Sequence, residues 1–223
     1  MKLVHPDWEK QIELKGEGVP LISIEDPATL YGALSEMKEE GSLGVGRFVL
    51  SEGEKILDMR KRFLLVLHPW DIDMNDRKII TKLVSQMAGT AQGEQFFQKT
   101  GRLGNELVSW MEEVTSEIPL PIAYDLDIDW EGLIKSFHIH LDDGGLMLEE
   151  RMISFMKIWS HFCGETAFCF YGFRNLLPAE RRELFYENAK EEELQFFLLE
   201  GPVHDIIQKE DAFIIDKDLC QIF

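Results

Sequence analysis

Short apolar runs of strand length constrain the fold of this chain more than any other feature. A continuous run covers residues 63–67, and strand-like runs at 167–171 and 194–199 flank a helical pattern at 178–189. An apolar run without alternation is typical of a strand buried on both faces, and strands that alternate with helices form parallel sheets. The sequence therefore predicts an α/β fold around a parallel sheet.

The N-terminal region adds short strands and one helix to this pattern. Residues 11–14, 21–24 and 47–50 are strand-like, as is a last short run at 212–215. Asp26 and Pro27 suit the N-cap and the first position of a helix, and Leu30 and Met37 lie on its apolar stripe. We expect this helix to end at Gly41.

The middle of the chain has helical periodicity only. One apolar stripe runs from Ile79 to Met87, a second from Leu103 to Ile118, and a third helix is predicted at residues 146–162. We therefore predict an α/β body formed by residues 1–73 and 164–223. A helical protrusion with an acidic linker, residues 74–163, is inserted into it.

Composition limits the classes of function. The chain has 223 residues, of which 45% are hydrophobic, so it can bury a substantial core. No apolar run approaches the roughly 18 to 20 residues that span a bilayer, and the N-terminus does not resemble a signal peptide. We expect a cytoplasmic protein that does not bind a membrane.

The formal net charge is −18, from 23 basic and 41 acidic residues. Such an excess of negative charge opposes nucleic-acid binding in general. An acidic chain can still hold DNA if its basic residues line one surface and if divalent cations neutralise its acidic clusters.

Residues 41–48 (GSLGVGRF) have the glycine spacing of a phosphate-binding loop but not its chemistry. Arg47 replaces the lysine that reaches the terminal phosphates, and Phe48 replaces the Ser or Thr that holds magnesium. The segment also precedes a strand instead of joining a strand to a helix. A glycine loop that ends the preceding helix is the simpler interpretation.

An acidic segment is the best chemical signal. In an extended chain, alternate residues project from one face, and carboxylates so close together favour calcium or magnesium. The alternative is a solvated acidic strand that leads into a helix at residues 130–137. Metal binding by His138 and His140 on one face of a strand is a weaker prediction than a solvated strand face. The candidate metal ligands are Asp125, Asp127, Asp129 and Glu131.

Basic residues are scarce, so the places where they cluster matter. Arg181 and Arg182 lie on the predicted helix after Pro178, and four others lie between two strands. A solvated loop is one interpretation of that second group, and a phosphate-contacting edge is the other. The candidate DNA-binding residues are Lys55, Arg60, Lys61 and Arg62.

The order of these segments resembles a known family, the ring-forming Csn-two family of type II-A CRISPR spacer acquisition. Each matching stretch is a loose pattern of apolar and acidic residues, and the resemblance comes from the set in this order. The stretches are residues 21–26, 68–75, 125–137, 184–200 and 213–220.

The resemblance implies a P-loop-ATPase-like α/β body that lacks a working phosphate loop and carries an inserted α-helical protrusion. It also implies a homotetrameric ring that binds double-stranded DNA ends without catalysis, assisted by calcium at Asp125, Asp127 and Asp129. Such a protein acts in antiviral defence, beside the CRISPR integrase complex and the type II effector nuclease. Two alternatives remain open at this stage. One is a metal-dependent or nucleotide-dependent phosphoryl-transfer enzyme, and the other is an acidic scaffold that binds only protein.

Overall fold

The computed structural model describes residues 1–142 and 144–223. The described chain forms two compact units. The first consists of residues 1–74 together with residues 144–223, and the second is Asn75–Asp142. The first unit carries all of the described strands and the second is helical.

The first unit contains two β-sheets and four α-helices among its described residues. Its strands are β1 (Lys2–Val4), β2 (Ile12–Glu13), β3 (Val19–Ile24), β4 (Val49–Glu52), β5 (Lys55–Ile56), β6 (Phe63–Val66), β7 (Ala167–Tyr171), β8 (Gln195–Glu200), β9 (Glu210–Ile215) and β10 (Gln221–Ile222). Its helices are α1 (Pro27–Leu43), α2 (Met59–Arg62), α6 (Leu148–Cys163) and α7 (Ala179–Glu191). The second unit contains α3 (Arg77–Gln92), α4 (Phe97–Ser116) and α5 (Trp130–Lys135).

The larger sheet has the order β10-β9-β3-β8-β7-β6. All of its neighbouring strands are parallel except β10, which pairs antiparallel with β9 at the edge. The α/β class and the parallel sheet predicted from the sequence are therefore confirmed. A smaller antiparallel sheet has the order β2-β1-β4-β5.

The side chains of β7 and β8 are buried on both faces of the larger sheet. Cys169 and Phe197 belong to one apolar core together with Met37 of α1. On the opposite face, the ring centroid of Phe170 lies 6.4 Å from that of Phe185 on α7. Helices therefore cover both faces, which explains why these strands read as apolar runs without alternation.

The helix α6 belongs to the first unit, although we expected the helical protrusion to extend to residue 163. Its buried face includes Met152 and Phe155, and the ring centroid of Phe155 lies 6.2 Å from that of Phe168 in β7. The inserted unit ends instead at Asp142. The amphipathic pattern of α6 gave its buried face correctly but did not show which partner that face contacts.

The second unit is closed by hydrogen bonds between its two ends. The side-chain amide of Asn75 donates to the carbonyl oxygen of Leu141 at 3.1 Å and accepts from the Leu141 backbone N–H at 2.7 Å. The hydroxyl of Thr100 on α4 donates to the Ala91 carbonyl oxygen of α3 at 2.5 Å. The predicted helical hairpin is therefore present as α3 and α4. None of the described helices is long and apolar enough to cross a membrane.

The glycine-rich segment 41–48 ends a helix, as the simpler interpretation predicted. The helix α1 continues past Gly41 to Leu43, and Gly44 caps it with φ 70° and donates its backbone N–H to the Glu40 carbonyl oxygen. The backbone N–H of Arg47 donates to Glu36 at 2.7 Å. The helix thus ends later than predicted, because Gly44 and not Gly41 adopts the left-handed conformation.

Glu40 holds this loop from inside the fold. Its Oε1 accepts the backbone N–H of Phe48 at 2.6 Å, while its Oε2 is buried without a hydrogen-bond partner. Burial raises the pKa of Glu40 to about 7, and the nearby Glu36 carboxylate acts in the same direction. The carboxyl group therefore keeps its proton in the folded state at a pH where an exposed glutamate has lost it.

We predict that Glu40 makes folding stability fall as pH rises. Between the ordinary value of 4.5 and about 7, the folded state binds the Glu40 proton and the unfolded state does not, so the free energy of unfolding decreases with pH. The Glu40→Gln variant should lose this decrease in urea denaturation measured across that interval of pH. The exposed Glu39→Gln variant is the control. An unchanged pH dependence in Glu40→Gln would contradict the prediction.

Candidate nucleic-acid interface

The basic candidates predicted from the sequence all lie in the first unit, on two different elements. Arg60, Lys61 and Arg62 form most of the four-residue helix α2, and Lys55 lies in the edge strand β5. Asp58 begins α2 as its N-cap and accepts the Arg60 backbone N–H at 3.1 Å. The structure thus places three of the four cations on one short helix.

The basic side chains of α2 differ in how far contacts within the protein already engage them. Arg60 is engaged by Asp58, with its Nε 3.0 Å from Oδ1 and its Nη2 2.9 Å from Oδ2. This pairing lowers the pKa of Asp58 and raises the pKa of Arg60. Arg62 donates from Nη1 to the Glu165 carbonyl oxygen at 3.2 Å. Lys61 and Lys55 have exposed side chains, so they are the better-placed phosphate ligands of this set.

A second group of cations lies in the helical unit and was not singled out from the sequence. Residues 77–102 hold five basic residues and one acid, Glu94, which gives 5 − 1 = +4 formal charges. All five basic residues are exposed on α3 and α4. A local count of charge would have found them, whereas the net charge of the chain conceals them. They are Arg77, Lys78, Lys82, Lys99 and Arg102.

The helical spacing places these cations in pairs. Lys78 and Lys82 are four residues apart on α3, and Lys99 and Arg102 are three apart on α4, so each pair occupies one side of its helix. Paired cations of this kind match the repeated charges of a nucleic-acid backbone.

The acidic segment does not form the extended strand that we expected. Residues 119–129 have no regular structure, and Asp129 is the N-cap of α5, where its Oδ1 accepts the Gly132 backbone N–H at 2.9 Å. Glu131 Oε2 lies 3.5 Å from Nζ of Lys135 on the same helix. Asp125 and Asp127 are exposed. The alternative, a solvated acidic strand that leads into a helix at residues 130–137, is wrong about the strand, while the helix is present as Trp130–Lys135.

The residues present do not form a metal centre in this arrangement. Within residues 1–142 and 144–223, no group of three or more His, Cys, Asp or Glu side chains is placed to hold a metal ion. Oxygen-coordinated calcium takes about 6 to 8 ligands, and here Asp129 already caps a helix. His138 and His140 lie outside any strand, and the backbone of His138 is left-handed with φ 52°.

Comparison with solved structures shows that the fold of this chain is shared with another protein. The chain is similar over its whole length to the solved structure titled "Crystal structure of Stu0660 of Streptococcus thermophilus", with a TM-score of 0.58 and 10% sequence identity. The match covers 100% of this chain and 76% of that one, and at this identity it shows a shared fold. No curated protein matches the chain.

A family model described as "CRISPR-associated protein (Cas_Csn2)" matches residues 42–219. This range includes the cations of α2, α3 and α4 and most of the larger sheet. The chain therefore belongs to the CRISPR-associated Cas_Csn2 family.

Proposed function

We propose that this protein binds the ends of double-stranded DNA during the acquisition of new CRISPR spacers, without catalysing a reaction. In this proposal it acts as a homotetrameric ring beside the CRISPR integrase complex and the type II effector nuclease. Membership of a CRISPR-associated family supports the pathway. The observation that carries DNA binding is the positive segment 77–102 in a chain of net charge −18.

The positive segment supplies what a phosphate backbone requires. Five exposed cations with a formal sum of +4 lie within 26 residues, and the remaining excess of acids lies elsewhere in the chain. Each phosphate neutralised by a cation releases counterions, which favours binding and makes it sensitive to salt. Lys55 and Lys61 of the first unit are two further exposed cations.

We propose further that the body is P-loop-ATPase-like but lacks a working phosphate loop. The order of its five parallel strands, renumbered along the chain, is 5-1-4-3-2, which agrees with such a body. Only Glu25 and Asp26 join β3 to α1, and Asp26 Oδ2 accepts the Thr29 backbone N–H at 2.8 Å. Two acids in this turn repel phosphate, which supports a function without nucleotide hydrolysis.

Self-association is supported by the amphipathic helix α4. None of its residues is buried, yet Leu103, Trp110 and Val114 form one apolar side of it and are 44%, 57% and 38% exposed. Transferring such side chains from water into an interface is favourable by about 25 cal/mol per Å² of apolar surface. We propose that this side of α4 is covered in the tetramer.

We also propose that calcium assists DNA binding through the acidic segment, as the family resemblance implies. Within the described residues, Asp125, Asp127, Asp129 and Glu131 are not grouped for a metal ion. The test is to measure affinity for blunt linear DNA with calcium and with a chelator. Asp125→Asn combined with Asp127→Asn should abolish any calcium dependence that is found.

We predict that the cations of the helical unit determine the salt dependence of DNA binding. The triple variant Arg77→Gln, Lys99→Gln, Arg102→Gln should bind linear duplex DNA more weakly. The plot of log affinity against log salt has a negative slope, and the variant should reduce the magnitude of that slope by about 0.9 for each phosphate that is no longer neutralised. Fluorescence anisotropy at several salt concentrations measures both effects.

The matched control for this prediction removes three positive charges elsewhere. The variant Lys38→Gln, Lys190→Gln, Lys217→Gln changes the net charge equally at exposed positions outside α3 and α4. It should keep the salt slope of the wild-type protein. Equal slopes in the two triple variants would contradict the assignment, and Lys55→Gln with Lys61→Gln tests these two cations of the first unit in the same way.

We predict that the protein is a tetramer near four times its 25.8 kDa mass and that Trp110→Glu reduces its size. A buried carboxylate opposes association, because its desolvation is not compensated. Light scattering measures the mass. Trp70→Glu is the matched control, since Trp70 is 60% exposed and lies in the first unit. A wild-type protein that is monomeric at all concentrations would overturn the proposed ring.

A further inference from the structure

A cavity of about 530 Å³ opens at the carboxyl ends of β7 and β8 in the first unit. Ligands of α/β proteins commonly bind beyond the carboxyl ends of parallel strands. The cavity adjoins the end of β3, because the carbonyl oxygen of the lining residue Gly201 accepts the hydroxyl of Ser23 at 2.8 Å. Its lining includes Arg174, Arg182, Glu200, His204 and the glycines Gly172 and Gly201.

Arg174 is fully engaged beneath this cavity. Its Nε donates to Glu210 Oε1 at 3.0 Å, its Nη2 donates to the Asp205 carbonyl oxygen, and its backbone N–H donates to Glu200 Oε1 at 2.8 Å. The other oxygen of Glu210 accepts the Ile207 backbone N–H at 3.1 Å. Arg174 and Glu210 thus form a buried ion pair that holds the loop between β8 and β9.

Arg182 has no such partner, although its side chain lines the same cavity. Only 8% of the residue is exposed. Its Nη1 donates to the carbonyl oxygens of Arg174 at 2.9 Å and Leu177 at 3.4 Å, while its Nε is buried without a hydrogen-bond partner. In the described part of the chain, Glu210 forms its ion pair with Arg174 and not with Arg182.

A buried guanidinium that takes part in no ion pair favours the binding of an anion beside it. A buried charge is costly unless it is paired and hydrogen-bonded, and a guanidinium cannot lose its proton to avoid that cost. Glu200 also lines the cavity and interacts electrostatically with Arg182. Burial raises its pKa and the Glu210 carboxylate does so too, while Arg174 and Arg182 act in the opposite direction.

We propose that this cavity binds a phosphate group against the buried guanidinium of Arg182. A guanidinium is a strong ligand for phosphate, and the cavity volume lies within the usual range of small-ligand sites, roughly 300 to 1,000 Å³. The phosphate group belongs either to a free mononucleotide or to the 5′ end of a DNA strand. Only the second source rests on the proposed function.

The first experiment uses the full chain and three small probes. Inorganic phosphate and deoxyadenosine 5′-monophosphate should bind saturably in calorimetric titrations, whereas deoxyadenosine should not. Arg182→Gln should weaken both interactions at least tenfold. Lys190→Gln removes the same charge from an exposed position on the same helix and should bind as the wild type does. Equal affinities in Arg182→Gln and the wild type would overturn the proposal.

A second measurement keeps the test valid if Arg182→Gln does not fold. Phosphate is titrated into the wild-type protein while the NMR signals of the Gly172 and Gly201 amides and of the Arg182 Nε–H are followed. Saturable shifts of these signals support the site. Signals that do not move, or that move in proportion to ionic strength only, overturn it.

A third measurement distinguishes the two sources of the phosphate group. If the ligand is a DNA end, linear duplexes with 5′-phosphates bind more tightly than duplexes with 5′-hydroxyls, and Arg182→Gln removes the difference. If the ligand is a free mononucleotide, the two duplexes bind equally and deoxyadenosine 5′-monophosphate still binds. A protein that does not bind DNA at all contradicts the proposed function but leaves the phosphate titration to decide the cavity.

Discussion

Burial of the larger sheet on both faces is the constraint on which the first unit depends. Alternate residues of β7 and β8 enter two cores, so Phe197 packs toward α1 while Phe170 packs toward α7. Each large side chain buried in this way stabilises the fold by about 1.5–3 kcal/mol. Between their ends, β7 and β8 therefore carry no charged residue. Charged groups are confined to the strand ends and to the connections between strands.

This confinement explains why buried charges lie at both edges of the sheet, Glu200 at the carboxyl edge and Glu210 at the amino edge, where it pairs with Val19. Glu200 ends β8 and Glu210 begins β9, and both are buried. Arg174 satisfies Glu210 and joins β9 to the loop that follows β8. The buried carboxylate of Glu210 requires its ion pair with Arg174. Arg182 is also buried but does not take part in this ion pair. A buried cation without an acidic partner costs folding free energy that an apolar residue would not, and this cost is the argument for the proposed phosphate site.

Local residue patterns predicted most helices and strands of the first unit. They did not show which of these elements pack or pair with each other. The run at 167–171 was predicted with the bounds of β7, because its residues are apolar without interruption and Gly172 follows. The two-residue strand β5 was missed, since so short a strand has no readable period and exists only by pairing with β4. The acidic alternation at 125–131 was mistaken for a strand because alternation describes exposure but supplies no partner strand. The sequence showed the cluster of cations that lies on α2, whose role in DNA binding stays a prediction, and the net charge hid the cations of α3 and α4.

Net charge is a poor guide here because electrostatic interactions in salt solution are local. At physiological ionic strength the Debye length is about 8 Å, so acids more than one such length from a bound phosphate contribute little repulsion. The cations of residues 77–102 need only outweigh the acids within that distance, and within the segment the balance is five to one. The large excess of acids elsewhere still acts at low salt, where the screening length is about 30 Å at roughly 0.01 M. Lowering the salt therefore strengthens both the attraction of the segment and the repulsion of the rest of the chain. Because the two effects oppose each other, the affinity of the proposed DNA complex is expected to rise less steeply at low salt than phosphate contacts alone would produce.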